Sequence, residues 1–324
     1  MTKRSQFSRR EALAAPLILF PALAGCNRNK KKVIGVIPKG RAHVFWQSVH
    51  AGAVKAAQEN GVDIEWNGPA SETDITGQIQ IVEAMINKRV DAIALAPIDR
   101  NALVNVVERA SKAGIPVIIF DSGIDTEAFV SQISTDNYHA GEIAAQRMGE
   151  ILGGKGKVAM VAVQAGAAST MAREQGFEEY VAKHLPGIQI VDKRYGDAEV
   201  AKSLRVAENM LTAHPEIDAL FGSNESSTIG AAQALKGRSS KVRLVGFDAG
   251  PTLEADLRSG VIDSLVVQNP FKMGYESVVA AVHKIGGQSP EKIQNLAPRL
   301  VTRENIDNPD VKEQLNPDLK KYLG

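Results

Sequence analysis

The chain has 324 residues, of which 44% are hydrophobic and 23% charged, and a single cysteine. At roughly 150 residues per domain the length predicts about two domains, and one cysteine excludes both a disulfide framework and a cysteine-based zinc cluster. Residues 1–32 carry eight of the 38 Lys and Arg but one of the 37 acids, so the body from 33 onward is mildly acidic and lacks the clustered basic surface that nucleic acid requires.

The first element along the chain is an address. Lys3, Arg4, Arg9 and Arg10 precede an uncharged run of fourteen residues, 12–25, which contains Pro16 and Pro21. A membrane-spanning helix needs about 20 apolar residues, and proline weakens a helix further. A charged start followed by a short apolar stretch predicts an export signal over 1–25. Leu23-Ala24-Gly25-Cys26 resembles the lipobox of bacterial lipoproteins, in which the cysteine becomes the lipidated first residue. Residues 26–32 are then a polar linker. Several acyl chains, at roughly 0.8 kcal/mol per buried CH₂, would hold the mature protein on a membrane, in the periplasm or at the cell surface. The Arg9-Arg10 pair is loosely similar to a twin-arginine signal, and the export route stays open.

From Val33 onward, short strand-like runs alternate with helical patterns. The runs are 33–37, 62–66, 92–96, 116–120, 130–133, 158–163, 188–191, 219–221, 242–247 and 264–267. Between them, apolar residues three and four apart, such as Ile79, Val82, Ile86 and Val90, predict amphipathic helices. This alternation means βαβ units and a mainly parallel sheet, an α/β fold. A weak internal repeat adds a second sheet. Asp91 and Asp121 are 30 residues apart, as are Asp218 and Asp248, and the strands opening at Val33 and Val158 lie 58 and 60 residues before the first Asp of each pair. Two α/β halves on one plan result, the second starting near Asp136. Asp121, Asn224 and Asp248 follow the carboxyl ends of strands, where open α/β sheets bind ligands.

Enzyme motifs are missing: no G-x-G-x-x-G follows a strand, and there is neither H-E-x-x-H nor G-x-S-x-G. The segment from Gly149 to Gly156 imitates a phosphate loop, but Gly156 stands where Ser or Thr is needed, so 153–157 reads as a helix-to-strand turn. The six histidines are scattered without ligand-like spacing. No metal, cofactor or catalytic residue is expected, and the chain does not read as an enzyme.

Further motifs occur in order along the chain. They include Ile34-Gly35-Val36, Phe45-Trp46, Phe120-Asp121, Ser134-Thr135-Asp136-Asn137, Ala172-Arg173-Glu174, Ser223-Asn224-Glu225, Gly246-Phe247-Asp248 and Val267-Gln268. Together they resemble the periplasmic sugar-binding proteins of the ribose-binding type, which deliver substrate to ABC importers. The resemblance implies two doubly wound parallel-sheet lobes joined by a hinge of three crossings and closing on a sugar. It places 33–135 with 269–298 in the first lobe and 136–268 with 299–324 in the second. It also implies a monomer, a permease partner in the membrane, and no membrane contact beyond the lipid on Cys26.

Site residues carry over one at a time. Phe45 and Trp46 match an aromatic pair that sandwiches the sugar ring, though core packing explains them as well. Asp121 and Asp248 match carboxylates accepting from sugar hydroxyls, bonds worth roughly 1.5–3 kcal/mol each. An Asp after a strand also makes a good helix cap. Arg173 matches a guanidinium reaching hydroxyl and ring oxygens, and Asn224 and Gln268 match amide donors. Lys39 falls on a position that can contact ligand, and His43 replaces a family Asn. Ala96 and Ala198 stand where the family has an Asn and an aromatic residue. These departures put ribose itself in doubt and point to another sugar, polyol or sugar-like molecule, with an anionic one admitted by Lys39. The same clamp would equally serve a membrane sensor kinase or chemoreceptor.

Overall fold

The computed structural model describes residues 31–238 and 241–324. The export signal read over 1–25 and Cys26 lie outside the described residues. Along the chain the strands are β1 (Val33–Ile37), β2 (Asp63–Trp66), β3 (Ala92–Leu95), β4 (Val117–Phe120), β5 (Ser131–Thr135) and β6 (Lys155–Ala162). They continue with β7 (Gly187–Tyr195), β8 (Ala219–Gly222), β9 (Arg243–Phe247), β10 (Ser264–Val267), β11 (Ile293–Leu296) and β12 (Arg299–Thr302). The helices are α1 (Val44–Asn60), α2 (Ile75–Lys88), α3 (Val104–Lys112), α4 (Asn137–Leu152), α5 (Ala168–His184) and α6 (Val200–Ala213). After them come α7 (Glu225–Gly237), α8 (Pro251–Ser259), α9 (Pro270–Ile285), α10 (Pro309–Leu315) and α11 (Leu319–Leu323).

The strands form two sheets, in the orders β11-β5-β4-β3-β1-β2 and β12-β10-β9-β8-β6-β7. Strand for strand the two orders are the same, which is the repeat made visible. All pairings are parallel except β10 with β12. Side chains on successive strand residues point to opposite faces. Hence Ile34, Ala92, Ala94, Ile118 and Phe120 join one core with α1 and α9, while Ile37, Ile93, Leu95, Val117 and Ile119 join another with α2 and α3. The second sheet is likewise covered on both faces, by α4 and α5 on one side and by α6, α7 and α8 on the other. Burial on both faces explains why the strands read as unbroken apolar runs. Each fully buried Val, Leu, Ile or Phe contributes about 1.5–3 kcal/mol.

The chain passes between the sheets three times: from β5 into α4, from β10 into α9, and from β11 directly into β12. The two crossing helices start on strong caps. Asp136 accepts from the His139 N–H, and Asn269 accepts from the Lys272 N–H ahead of Pro270 at the first helical position. All ten runs read from the sequence are strands, while the turn expected over 153–157 is shorter, confined to Gly153 in a left-handed cap (φ 62°) and Gly154, with β6 starting at Lys155. β11 was not among the expected strands. Helix α10 buries Val311 in the core of the second sheet, but α11 packs against α1, with the Tyr322 ring 5.6 Å from that of Phe271.

Candidate functional site

The loops that leave the carboxyl ends of strands carry the chemistry. Lys39 and His43 follow β1, Asp121 follows β4, Asn224 follows β8, Asp248 follows β9 and Gln268 follows β10. Phe45 and Trp46 lie in the first turn of α1, and Arg173 lies on α5. All nine line one pocket, together with Glu72, Ser169, Thr170 and Glu225. The side chains leave a cavity of about 30 Å³, room for water but not for a sugar ring. Two larger hollows, of about 480 and 550 Å³, are lined mostly by exposed or half-buried side chains and gather no comparable set of buried polar groups.

Asp121 and Asp248 occupy equivalent places in the two halves and share an unusual backbone, with φ of 61° and 70°. Asp is among the few residues enriched in this left-handed region. Each N–H is held by the neighbouring strand, Asp121 donating to the Ile133 carbonyl at 3.0 Å and Asp248 to that of Val266 at 2.9 Å. Neither is the N-cap residue of a helix that follows it, and an unusual backbone kept at the same point in both halves points to a site. Asn224 is the cap instead. Its Oδ1 accepts from the Ser227 N–H at 2.9 Å, leaving Nδ2 as a donor for a ligand.

Arg173 is buried and stacked 4.0 Å from the Phe247 ring centroid. Its Nε donates to Asn137 Oδ1 at 2.8 Å and its Nη1 to the Ser223 carbonyl at 3.0 Å. Three further guanidinium N–H donors remain for the pocket, since the fork has five. Burial pulls its pKa down, against the nearby charges of Asp248 and Asp121. Asp248 accepts from the Glu225 N–H and from Gln268 Nε2, each at 2.8 Å, and burial pushes its carboxyl above the usual carboxylate range. Gln268 in turn accepts from the Thr135 hydroxyl at 2.6 Å.

The first-loop residues are less free than the sequence suggested. The Lys39 ammonium lies 2.6 Å from Asp121 Oδ2 and donates to the hydroxyls of Ser122 (2.7 Å) and Ser169 (3.1 Å). The His43 Nδ1 lies 2.8 Å from Glu72 Oε1. Burial alone would lower the histidine pKa, but the Glu72 hydrogen bond and the charges of Glu72, Glu225 and Asp248 push it up to about 9. Glu72 also accepts the Trp46 indole N–H at 2.7 Å, and these partners hold its carboxyl below the usual range despite burial. Lys39 and His43 each lie against a carboxyl group, which removes the positive surplus inferred from Lys39.

A second correction concerns the aromatic pair. A sugar ring held between two faces needs those faces parallel, whereas consecutive helix residues point about 100° apart. The Phe45 and Trp46 rings touch edge to face, with centroids 4.8 Å apart at 90°, and Trp46 is buried against Phe120 as well. In this arrangement the two rings present no parallel pair of faces between which a sugar ring could lie. Sequence reasoning also missed Glu72, Ser169, Thr170 and Glu225. Glu225 follows Asn224 directly, and Ser169 and Thr170 lie one turn before Arg173, so helix spacing could have flagged those three. Nothing in the chain signals Glu72.

The two halves meet across this pocket. Arg100 donates its backbone N–H to the Gly166 carbonyl at 3.0 Å, Gln164 Nε2 donates to the Glu72 carbonyl at 3.0 Å, and Ser122 and Ser169 hydroxyls bond at 2.8 Å. A ligand cleft between two doubly wound sheets, built from both sets of strand ends, is the arrangement of a clamp. The chain matches the family described as Periplasmic binding protein domain over residues 34–289. It is a periplasmic binding protein of the ribose-binding type. It is 29% identical to the ribose import binding protein of Bacillus subtilis over 277 residues, covering 85% of this chain and 89% of that one. It is 33% identical to the D-allose-binding periplasmic protein of Escherichia coli, over 74% of this chain and 80% of that protein. Among solved structures, an Agrobacterium radiobacter carbohydrate transporter solute binding protein in complex with D-arabinose superposes with a TM-score of 0.86 at 33% identity, covering 88% and 99% of the two chains. An Agrobacterium vitis ABC transporter solute binding protein with bound D-fucose gives 0.85 at 35% identity, covering 88% and 100%. Periplasmic binding proteins of this type are receptors, not enzymes.

Proposed function

We propose that this protein captures a neutral monosaccharide, polyol or closely related sugar-like molecule by closing two lobes on it, and delivers it to an ABC importer. The observation that carries the reading is the charge arrangement of the pocket. Lys39 and His43 are matched by Asp121 and Glu72, so among the described residues the remaining cation of the wall is Arg173, whose charge is offset by nearby Asp248, and hydroxyl-binding groups come from Arg173, Asn224 and Asp248. An added negative charge would be buried among the carboxyl groups of Asp121, Glu72, Asp248 and Glu225, where unpaired charge is costly. The bound neutral sugars of the structural relatives support the same choice. In this reading the first lobe comprises 33–135 with 269–298 and the second comprises 136–268 with the strand and helix after 299, while α11 returns to the first.

A thermal-shift panel tests it directly, with D-ribose, D-allose, D-arabinose, D-fucose, D-tagatose, xylitol, D-glucuronate and ribose 5-phosphate. A ligand at 1,000 times its Kd adds about 4 kcal/mol, or about 8–16 °C at roughly 2–4 °C per kcal/mol. One or more neutral members should produce that shift. A response confined to the acidic and phosphorylated members, or none at all, would overturn the reading.

The reading includes a lipid anchor on Cys26, supported by the sequence pattern that precedes it. Cys26→Ser should move the protein from the membrane pellet to the soluble fraction after cell lysis. Undiminished sedimentation with membranes would strike the anchor out.

A further inference from the structure

Helix α1 starts without a cap of its own. His43, at its N-cap, makes no side-chain cap bond, because its ring is engaged with Glu72, and the first turn holds no acid. The free N–H groups are nevertheless satisfied. Val44 donates to Glu225 Oε1 and Phe45 to Glu225 Oε2, each at 3.2 Å. Glu225 is the first residue of α7, which is rooted on the other sheet, and its own helix is already capped by Asn224. The carboxylate therefore caps a helix across the cleft. Charge at a helix N-terminus is favourable; burial pushes the Glu225 carboxyl above the usual range, and His43 with the Phe45 and Val44 N–H groups opposes that rise.

The cap is also wired to the ligand wall and to the crossings. The Glu225 N–H donates to Asp248, Asp248 accepts from Gln268, and Gln268 accepts from Thr135. Thr135 ends β5 just before the first crossing, and Gln268 follows β10 just before the second. One chain of hydrogen bonds thus runs from the base of both crossings, through a ligand-facing carboxylate, to the start of the helix that carries Phe45.

We propose that Glu225 is a closure latch, a positioning residue that caps α1 only when the two lobes meet and so holds the pocket shut around its occupant. This rests on the clamp reading above. The latch acts on the rate of opening, since its bonds must break before anything leaves. It also sets Phe45, because the bonded N–H belongs to that residue.

Two variants probe the contact from opposite sides. Glu225→Gln removes the charge with little change of shape. Val44→Pro removes a donor from the first helical position, where proline is well tolerated, and His43 already has the extended backbone (φ −80°, ψ 148°) that suits a residue before proline. Each should speed dissociation of the tightest neutral sugar of the panel by about tenfold to a hundredfold, as expected for charge-assisted hydrogen bonds. Association should change little, and the melting temperature of the sugar-free protein should not fall. The double variant should be no worse than the worse single one, because both remove one interaction. Additive losses, or unchanged dissociation in Glu225→Gln, would overturn the latch.

Spin labels on Lys112→Cys and Lys183→Cys, in a Cys26→Ser background, give a readout that needs no ligand. The short-distance population should be smaller in Glu225→Gln than in the parent. Identical distance distributions in every sugar and in none would also overturn the latch. If no neutral sugar binds the parent while the distances still differ, the sugar reading fails and the latch stands.

Discussion

Asp248→Asn is expected to weaken sugar binding at least a hundredfold while leaving the melting temperature of the sugar-free protein unchanged or higher. Asn tolerates the left-handed backbone at φ 70°, so the substitution isolates the chemistry of the carboxylate from the conformation of the loop. Both oxygens of Asp248 accept, one from the Glu225 N–H and one from Gln268 Nε2. An amide in the same place must turn its own donor toward one of them. The change also takes away a negative charge that offsets buried Arg173, and a buried charge left without compensation is costly. That cost falls on the closed, liganded form, because a separated cleft returns both groups to water. Calorimetric titration with a panel sugar, beside a melt without it, measures the two halves of the expectation. Affinity within about threefold of the parent would show that the ligand sits elsewhere.

Gly274→Ala should lower stability by at least about 3 kcal/mol, the upper end of ordinary overpacking, seen as a fall in Tm of roughly 6–12 °C. A Cβ on Gly274 would lie 2.0 Å from the Val49 carbonyl oxygen, and one on Gly52 would lie 1.9 Å from that of Phe271. These are backbone atoms of facing helices, so no side chain can swing aside. α1 and α9 must separate, carrying Phe45 and the start of α1 with them. The second half repeats the device, with Gly141 against the Arg173 carbonyl at 2.0 Å and Gly176 against that of Tyr138 at 2.1 Å. A circular-dichroism melt within about 2 °C of the parent would mean that the helix pair yields more easily than its geometry implies.

What could be read from the chain divides along physical lines. Strands covered on both faces announce themselves as apolar runs, and the 30-residue spacing of their aspartates gave away the paired halves and two ligand-wall carboxylates. β11 stayed hidden because an edge strand with Ile293 and Leu296 as its only large apolar residues, half of it exposed, carries no such run. The nine pocket residues named from the sequence do converge. What each one touches was another matter. The pairing of Lys39 with Asp121 joins residues 82 apart, and the Glu225 cap joins residues about 180 apart, so neither leaves a local pattern. The Phe45 and Trp46 rings were different, since neighbours on a helix project about 100° apart and so rarely face each other across a ligand.

Ala297 and Pro298 alone separate β11, paired in the first sheet, from β12, paired in the second. Three peptide steps reach no more than about 11 Å, and proline stiffens one of them. The two edges are thus tethered as if by a short stiff cord. Such a cord limits how far the two edges can part at this point. For the clamp proposed above, it makes this edge the side about which the halves would swing, so a bound molecule, the proposed α1 cap and α11 lying back across α1 would all act on the same opening angle.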